Sequence, residues 1–170
     1  ANADVYKFLR YFTFLSLAEI SDIEIEDKAA SGRPKAQGIL AREATTLVHG
    51  DDGLNAALRI TEAMFSGELS DLSEQDFEQL CQDGLPSSSL SDLDLQDKPL
   101  TNLLVEAGMV KSGREVKDAL SRNSVLVNGQ AKGLEDNMRT ADLFSPNGGI
   151  YERYYLVKLG KKKYHLFQRI

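Results

Sequence analysis

The hydrophobic period changes once along this chain. Up to Gly84, apolar residues recur at three- and four-residue spacing, as Val5, Phe8, Leu9 and Phe12 do, which is the stripe a helix buries. Past residue 97 two short helical stretches give way to β-branched runs, and VLVNGQ at 125–130 meets Asn128-Gly129, the strongest short hairpin signal. The pattern predicts a multi-domain chain: an all-α helical domain followed by a small α+β module.

Turn and cap residues divide the first half. Ser16 with Glu19 has capping-box form, and Ser21 with Glu24 repeats it, predicting a short acidic helix that Gly32 ends. Pro34 suits the first turn of the next helix, whose stripe of Ala36, Ile39, Leu40, Leu47 and Val48 stops at Gly50. Asp52 caps a further helix ended by Gly67, and Ser73 opens a last one through Phe77, Leu80 and Cys81, ended by Gly84. Residues 85–97, LPSSSLSDLDLQD, lose the period and read as a linker, so the expected domains are 1–84 and 98–170. In the second, Asp97 and Pro99 start a helix that ends at Gly108. Ser112 with Glu115 opens another in capping-box form, and YYLVKLG and KKKYHLFQRI form a second hairpin around Gly160.

Charge follows the same division. Residues 1–97 hold 7 Lys+Arg against 19 Asp+Glu, and residues 98–170 hold 13 against 7. A basic second half under an acidic first one makes a polyanion a candidate partner. Cys81 is the only cysteine, which excludes an internal disulfide and fits a cytoplasmic setting. No membrane segment is expected, since no run reaches the eighteen or so apolar residues a span needs. One Cys with two separated histidines, His49 and His165, argues against a zinc site, and no metal is expected.

Catalytic patterns are missing: the sequence has no Gly-rich phosphate loop, no GxSxG elbow and no metal-spaced His/Glu motif. Asp51-Asp52 and the Glu24, Glu26, Asp27 group read as caps and solvated faces. His49 reads as structural at a helix end, and His165 and Cys81 as packing residues.

The stretch KPLTNLLVEAGMVKSGREVKDALSRNSVLVNGQAKG, residues 98–133, resembles the small RNA-binding module first described in the small-subunit ribosomal protein S-four. Its carriers are the Leu-rich helix, Lys111-Ser112, Arg114, Lys117, the β-branched strand, Val127-Asn128-Gly129 and Lys132. Residue chemistry supports an RNA role beside the resemblance. Arg114 and Lys117 lie three apart on one helix face, with Arg122 near its end. N–H groups at the Ser112 cap favour an anion. Arg forms forked phosphate bonds and Lys acts as a point charge. Many members of that family carry Arg where Lys117 stands. Lys161, Lys162 and Lys163 sit at the tip of the last hairpin, flanked by Tyr151, Tyr154, Tyr155, Tyr164 and Phe167. The lysines either clasp a backbone or protect a turn; the aromatics read as core.

DVYKFLRYFTFLS at 4–16, GRPKAQGILAREATTLVHG at 32–50 and RITEAMFSGELSDLSEQDFEQL resemble bacterial tyrosyl-tRNA synthetase beyond its catalytic fold. The resemblance implies a tRNA-binding C-terminal fragment that holds the anticodon stem and the variable arm of tRNA. The parent would be an ATP-dependent aminoacylating enzyme, a homodimer. No catalytic site and no cofactor would lie in this fragment, which would be monomeric; tyrosine and ATP would bind upstream. Expected RNA contacts are Lys111, Ser112, Arg114, Lys117, Arg122, Lys132 and Lys161, Lys162 and Lys163. Arg33, Lys35 and Arg42 are expected on the anticodon side. Two other readings stay open: a standalone small RNA-binding regulator or accessory of an RNA-modifying enzyme, and a structural or dimerising module, which predicts a large exposed apolar patch.

Overall fold

The computed structural model describes residues 4–32 and 34–170 and, of Asp83, the backbone alone. Its chain divides into two compact units between Arg59 and Ile60.

The first unit is helical. Helix α1 (Val5–Phe12) is followed by α2 (Leu17–Ala29), whose start carries the expected capping box: Ser16 N donates to the Glu19 carboxylate at 2.8 Å, and Glu19 N donates to Ser16 Oγ at 3.3 Å. Ser21 opens no second helix, because α2 runs through it without a break. That helix ends at Ala29, before Gly32, and α3 (Ala36–Ser66) starts two residues after Pro34. Gly50 bends α3 with φ 71° and ψ −177°, a conformation essentially reserved for glycine. Val5, Leu9, Ile20 and Ala36 form the core of this unit. Asp27 ties its three helices: the carboxylate accepts from Lys35 N at 2.6 Å, Ala36 N at 3.1 Å and Tyr6 Oη at 3.1 Å. The Lys35 N–H, first among these contacts, holds its pKa below the usual carboxylate value. Outside this core, Phe8, Tyr11, Phe12, Phe14 and Leu17 are exposed, Phe14 to 90%.

The second unit is built on a five-stranded sheet in the order β1-β5-β4-β2-β3. Before it, α4 (Glu74–Gln79) starts in a capping box of Ser73 and Asp76, and a π turn (Leu80–Gly84) ends it. The stretch expected as a linker is instead structured. Residues Ser87–Leu90 form β1, paired in parallel with β5, and Asp92–Leu95 form α5. Leu90 and Leu95 are each 3% exposed, so apolar residues among the serines and aspartates anchor the segment. The structural boundary therefore lies at 59/60, because residues 60–84 bury their apolar side chains against the sheet.

Helices α6 (Leu100–Glu106) and α7 (Gly113–Leu120) precede β2 (Val125–Val127) and β3 (Gln130–Lys132). Asn128 and Gly129 both take positive φ, 48° and 79°, as a two-residue hairpin turn requires. A 3-10 turn (Leu134–Met138) and α8 (Thr140–Leu143) lead to β4 (Tyr154–Leu159) and β5 (Lys163–Arg169), joined through Gly160 as expected.

Strand alternation sends β4 side chains into two cores. Tyr155, Val157 and Leu159 pack under α6 and α7 with Leu100, Leu104, Val116 and Leu120. Tyr154 and Leu156 pack on the opposite face with Leu69, Leu72, Phe77 and Leu80. The layer contributed by residues 60–84 contains seven Asp+Glu and no Lys or Arg. This acidic segment covers the sheet face opposite α6 and α7.

Candidate nucleic-acid interface

Helix α7 divides its residues by period. Val116, Ala119 and Leu120 are buried, which leaves Arg114, Lys117, Asp118 and Ser121 on the outer face. Arg114 and Lys117 have no ion pair within the described residues. Arg122 follows the helix, exposed, with Nε donating to the Asp118 carbonyl at 3.0 Å.

The capping box expected at Ser112 does not form. Ser112 is the N-cap, but its hydroxyl makes no capping hydrogen bond. The Glu115 carboxylate instead accepts from Lys163 Nζ at 2.6 Å, and this contact, first among its causes, lowers the Glu115 pKa. The charge of Lys111 acts in the same direction on this carboxylate. Glu115 thereby pins the first residue of β5 to the first turn of α7. Lys162 and Lys163 also line a groove with Gly108 and Met109 of the α6–α7 turn. Lys111, Ser112, Lys162 and Lys163 therefore belong to one neighbourhood, and Lys161 is exposed at the same hairpin tip.

Lys132 stands elsewhere in this layer. It lies opposite Val125 on the neighbouring strand, so it shares the sheet face that α7 covers. There it lines a second groove with Gln130, Asp136, Arg139 and Asp142. Arg139 was missed in the sequence, where it stands in no motif, between a 3-10 turn and a four-residue helix.

Three of the five aromatics near the hairpin are core, as expected, whereas Tyr164 is half-buried and Tyr151 exposed. Tyr154, Tyr155 and Phe167 are fully buried, and Tyr151 donates its hydroxyl to the Leu72 carbonyl at 2.9 Å. His165 is 3% exposed, within 2.9 Å of Ser88 Oγ and beside the Phe167 ring. Cys81 is half-buried at the margin of the second core.

In the helical unit the expected anticodon-side group is thinner. Arg33 lies outside the described residues. Lys35 is exposed and paired with Glu26 at 3.2 Å, while Arg42 is exposed on α3. Among the described residues no cluster of three or more His, Cys, Asp or Glu is placed to hold a metal ion. No described helix is long and apolar enough to cross a membrane.

Comparison with known proteins supplies the context. The family description "Tyrosine--tRNA ligase SYY-like C-terminal domain" matches residues 76–167. A tyrosine–tRNA ligase of Aliivibrio fischeri is 42% identical over 167 residues, covering 98% of this chain and 37% of that protein. The enzymes of Dechloromonas aromatica and Laribacter hongkongensis are 44% and 46% identical at the same coverage. The chain thus spans about 37% of the length of these relatives.

Proposed function

Since this chain belongs to the tyrosine–tRNA ligase family through that family's C-terminal domain, we propose that it is the tRNA-binding C-terminal part of a tyrosyl-tRNA synthetase. It holds the anticodon stem and the variable arm of tRNA(Tyr) while the part of the enzyme outside this chain activates tyrosine with ATP and transfers it. The parent is a cytoplasmic homodimer, and this part binds no cofactor of its own.

The observation that carries this reading is the outer face of α7. Arg114 and Lys117 are exposed, adjacent and unpaired within the described residues, beside an N-cap whose hydroxyl is uncommitted. Each feature suits phosphate. The guanidinium makes forked bonds, the ammonium adds a point charge, and the open first turn donates N–H groups toward negative charge. Lys111, Lys161 and Lys162 extend the positive field along the hairpin. The α6–α7 pair followed by the β2–β3 hairpin supports the likeness to the ribosomal RNA-binding module. The acidic layer on the far side of the sheet repels a polyanion, so RNA approaches from one side only.

The test is competition between tRNAs. The full-length protein should bind tRNA(Tyr) with its long variable arm more tightly than the same tRNA with that arm shortened. Equal affinity for the two would remove the variable arm from the account.

A second reading attaches to the helical unit. Exposed Phe8, Tyr11, Phe12, Phe14 and Leu17 make the apolar surface that a protein-contact module predicts. We expect the isolated chain to sediment as a monomer, and a stable dimer would assign that surface to self-association.

A further inference from the structure

We propose that the groove between the β2–β3 hairpin and α8 is a pocket for one unstacked nucleotide of the bound tRNA. The proposal rests on the tRNA-binding reading above and goes beyond it, from a surface that grips phosphates to a site that reads a base. The groove holds about 450 Å³, within the range of small-ligand sites. Buried Val127 and half-buried Leu143 give it apolar surface, and its remaining lining is polar.

The polar groups match a nucleotide in kind. Gln130 is exposed, with no side-chain hydrogen bond among the described residues, and its amide offers both a donor and an acceptor to a base edge. Lys132 and Arg139 are the two cations, Lys132 without an ion pair among the described residues. Arg139 Nε is held by Asp142 at 3.2 Å, which orients a planar guanidinium able to stack on a base. Asp136 and Asp142 argue against a plain phosphate site and for a base, since carboxylates accept from base amino groups.

The walls are fixed before any ligand arrives. Asn128 donates to the carbonyls of Gly148 at 3.1 Å and Tyr154 at 3.3 Å, and accepts from Leu156 N at 2.8 Å. Asp136 accepts from Gly133 N at 2.9 Å, and Asn137 anchors the 3-10 turn to α6 by accepting from Thr101 N at 3.0 Å. A site with walls tied in this way loses little freedom on binding.

The experiment is abasic scanning of the tRNA against the full-length protein and two surface variants. One is Gln130→Ala/Arg139→Ala; the other is Arg139→Lys, which keeps the charge and drops the planar fork. The proposal predicts one nucleotide whose base, when removed, costs the wild type about tenfold in affinity. The same removal costs the double variant nothing, and the lysine variant follows the double variant. If every abasic position weakens wild type and variants by the same factor while binding stays salt-dependent, the pocket is wrong and the tRNA-binding reading survives. If no tRNA is retained at any salt concentration, both are overturned.

Discussion

Glu115 sits at the meeting point of helix, hairpin and candidate RNA surface. Its carboxylate occupies Lys163 at 2.6 Å, so one lysine of the hairpin tip is neutralised at rest. Glu115→Gln should release that charge and remove an anion from the first turn of α7. The expected result is a several-fold gain in tRNA affinity and a log–log salt slope steeper by roughly 0.7 to 0.9. Filter binding across a salt series measures both, and unchanged affinity would show that Lys163 makes no RNA contact. This contact was illegible in sequence. Ser112 and Glu115 have capping-box spacing, but the competing partner stands 48 residues away on another strand. His165 carries a pH dependence. Burial pushes its imidazole below the ordinary value, so as pH falls the unfolded chain takes up that proton first. Stability should be complete above about pH 6.5 and fall below it, by up to about 1.4 kcal/mol per pH unit. His165→Gln should flatten the denaturation midpoint between pH 7 and pH 5, and an unchanged profile would place the titrating group elsewhere.

Among the elements, those whose signals are local were readable. The α2 capping box, the Asn128-Gly129 turn and the helix stop at Gly67 depend on a few neighbouring residues, and each stands where expected. Strand β1 was not readable. Its SSSL sequence looks like a linker, and it becomes a strand only because β5, about 79 residues later, offers a parallel edge. The boundary between units falls at 59/60 for another long-range reason, since residues 60–84 bury their apolar side chains on the sheet. Gly50 gives a direct test at this scale. Its φ of 71° with ψ −177° lies where a side chain is strained, although a Cβ there would meet open space. Gly50→Ala should therefore destabilise the protein by about 1–3 kcal/mol through backbone strain alone. Chemical denaturation measures it, and a neutral result would mean that the bend relaxes into an ordinary helix.

Across the whole molecule, charge is distributed by segment, and residues 60–84 are a strongly acidic stretch. The sequence displayed the charge as a difference between halves, yet residues 60–84 pack on the sheet of the second half, on the face opposite α6 and α7. The candidate site was legible as residue types, through Arg114, Lys117 and the lysine run, and only partly as geometry. That Lys111 and Ser112 stand near Lys162 and Lys163, and Arg139 near Lys132, required the folded chain. If the α7 face grips tRNA phosphates, binding releases counterions, and a salt titration reads that release. Affinity for tRNA(Tyr) should be titrated across salt for the wild type and for Arg114→Glu/Lys117→Glu. For about five phosphate contacts the wild type should show a log–log slope of roughly −3.5 to −4.5. The double variant should bind more weakly, with a shallower slope and an unchanged melting temperature. Binding that ignores salt, or a double variant that binds as tightly as the wild type, would contradict the account.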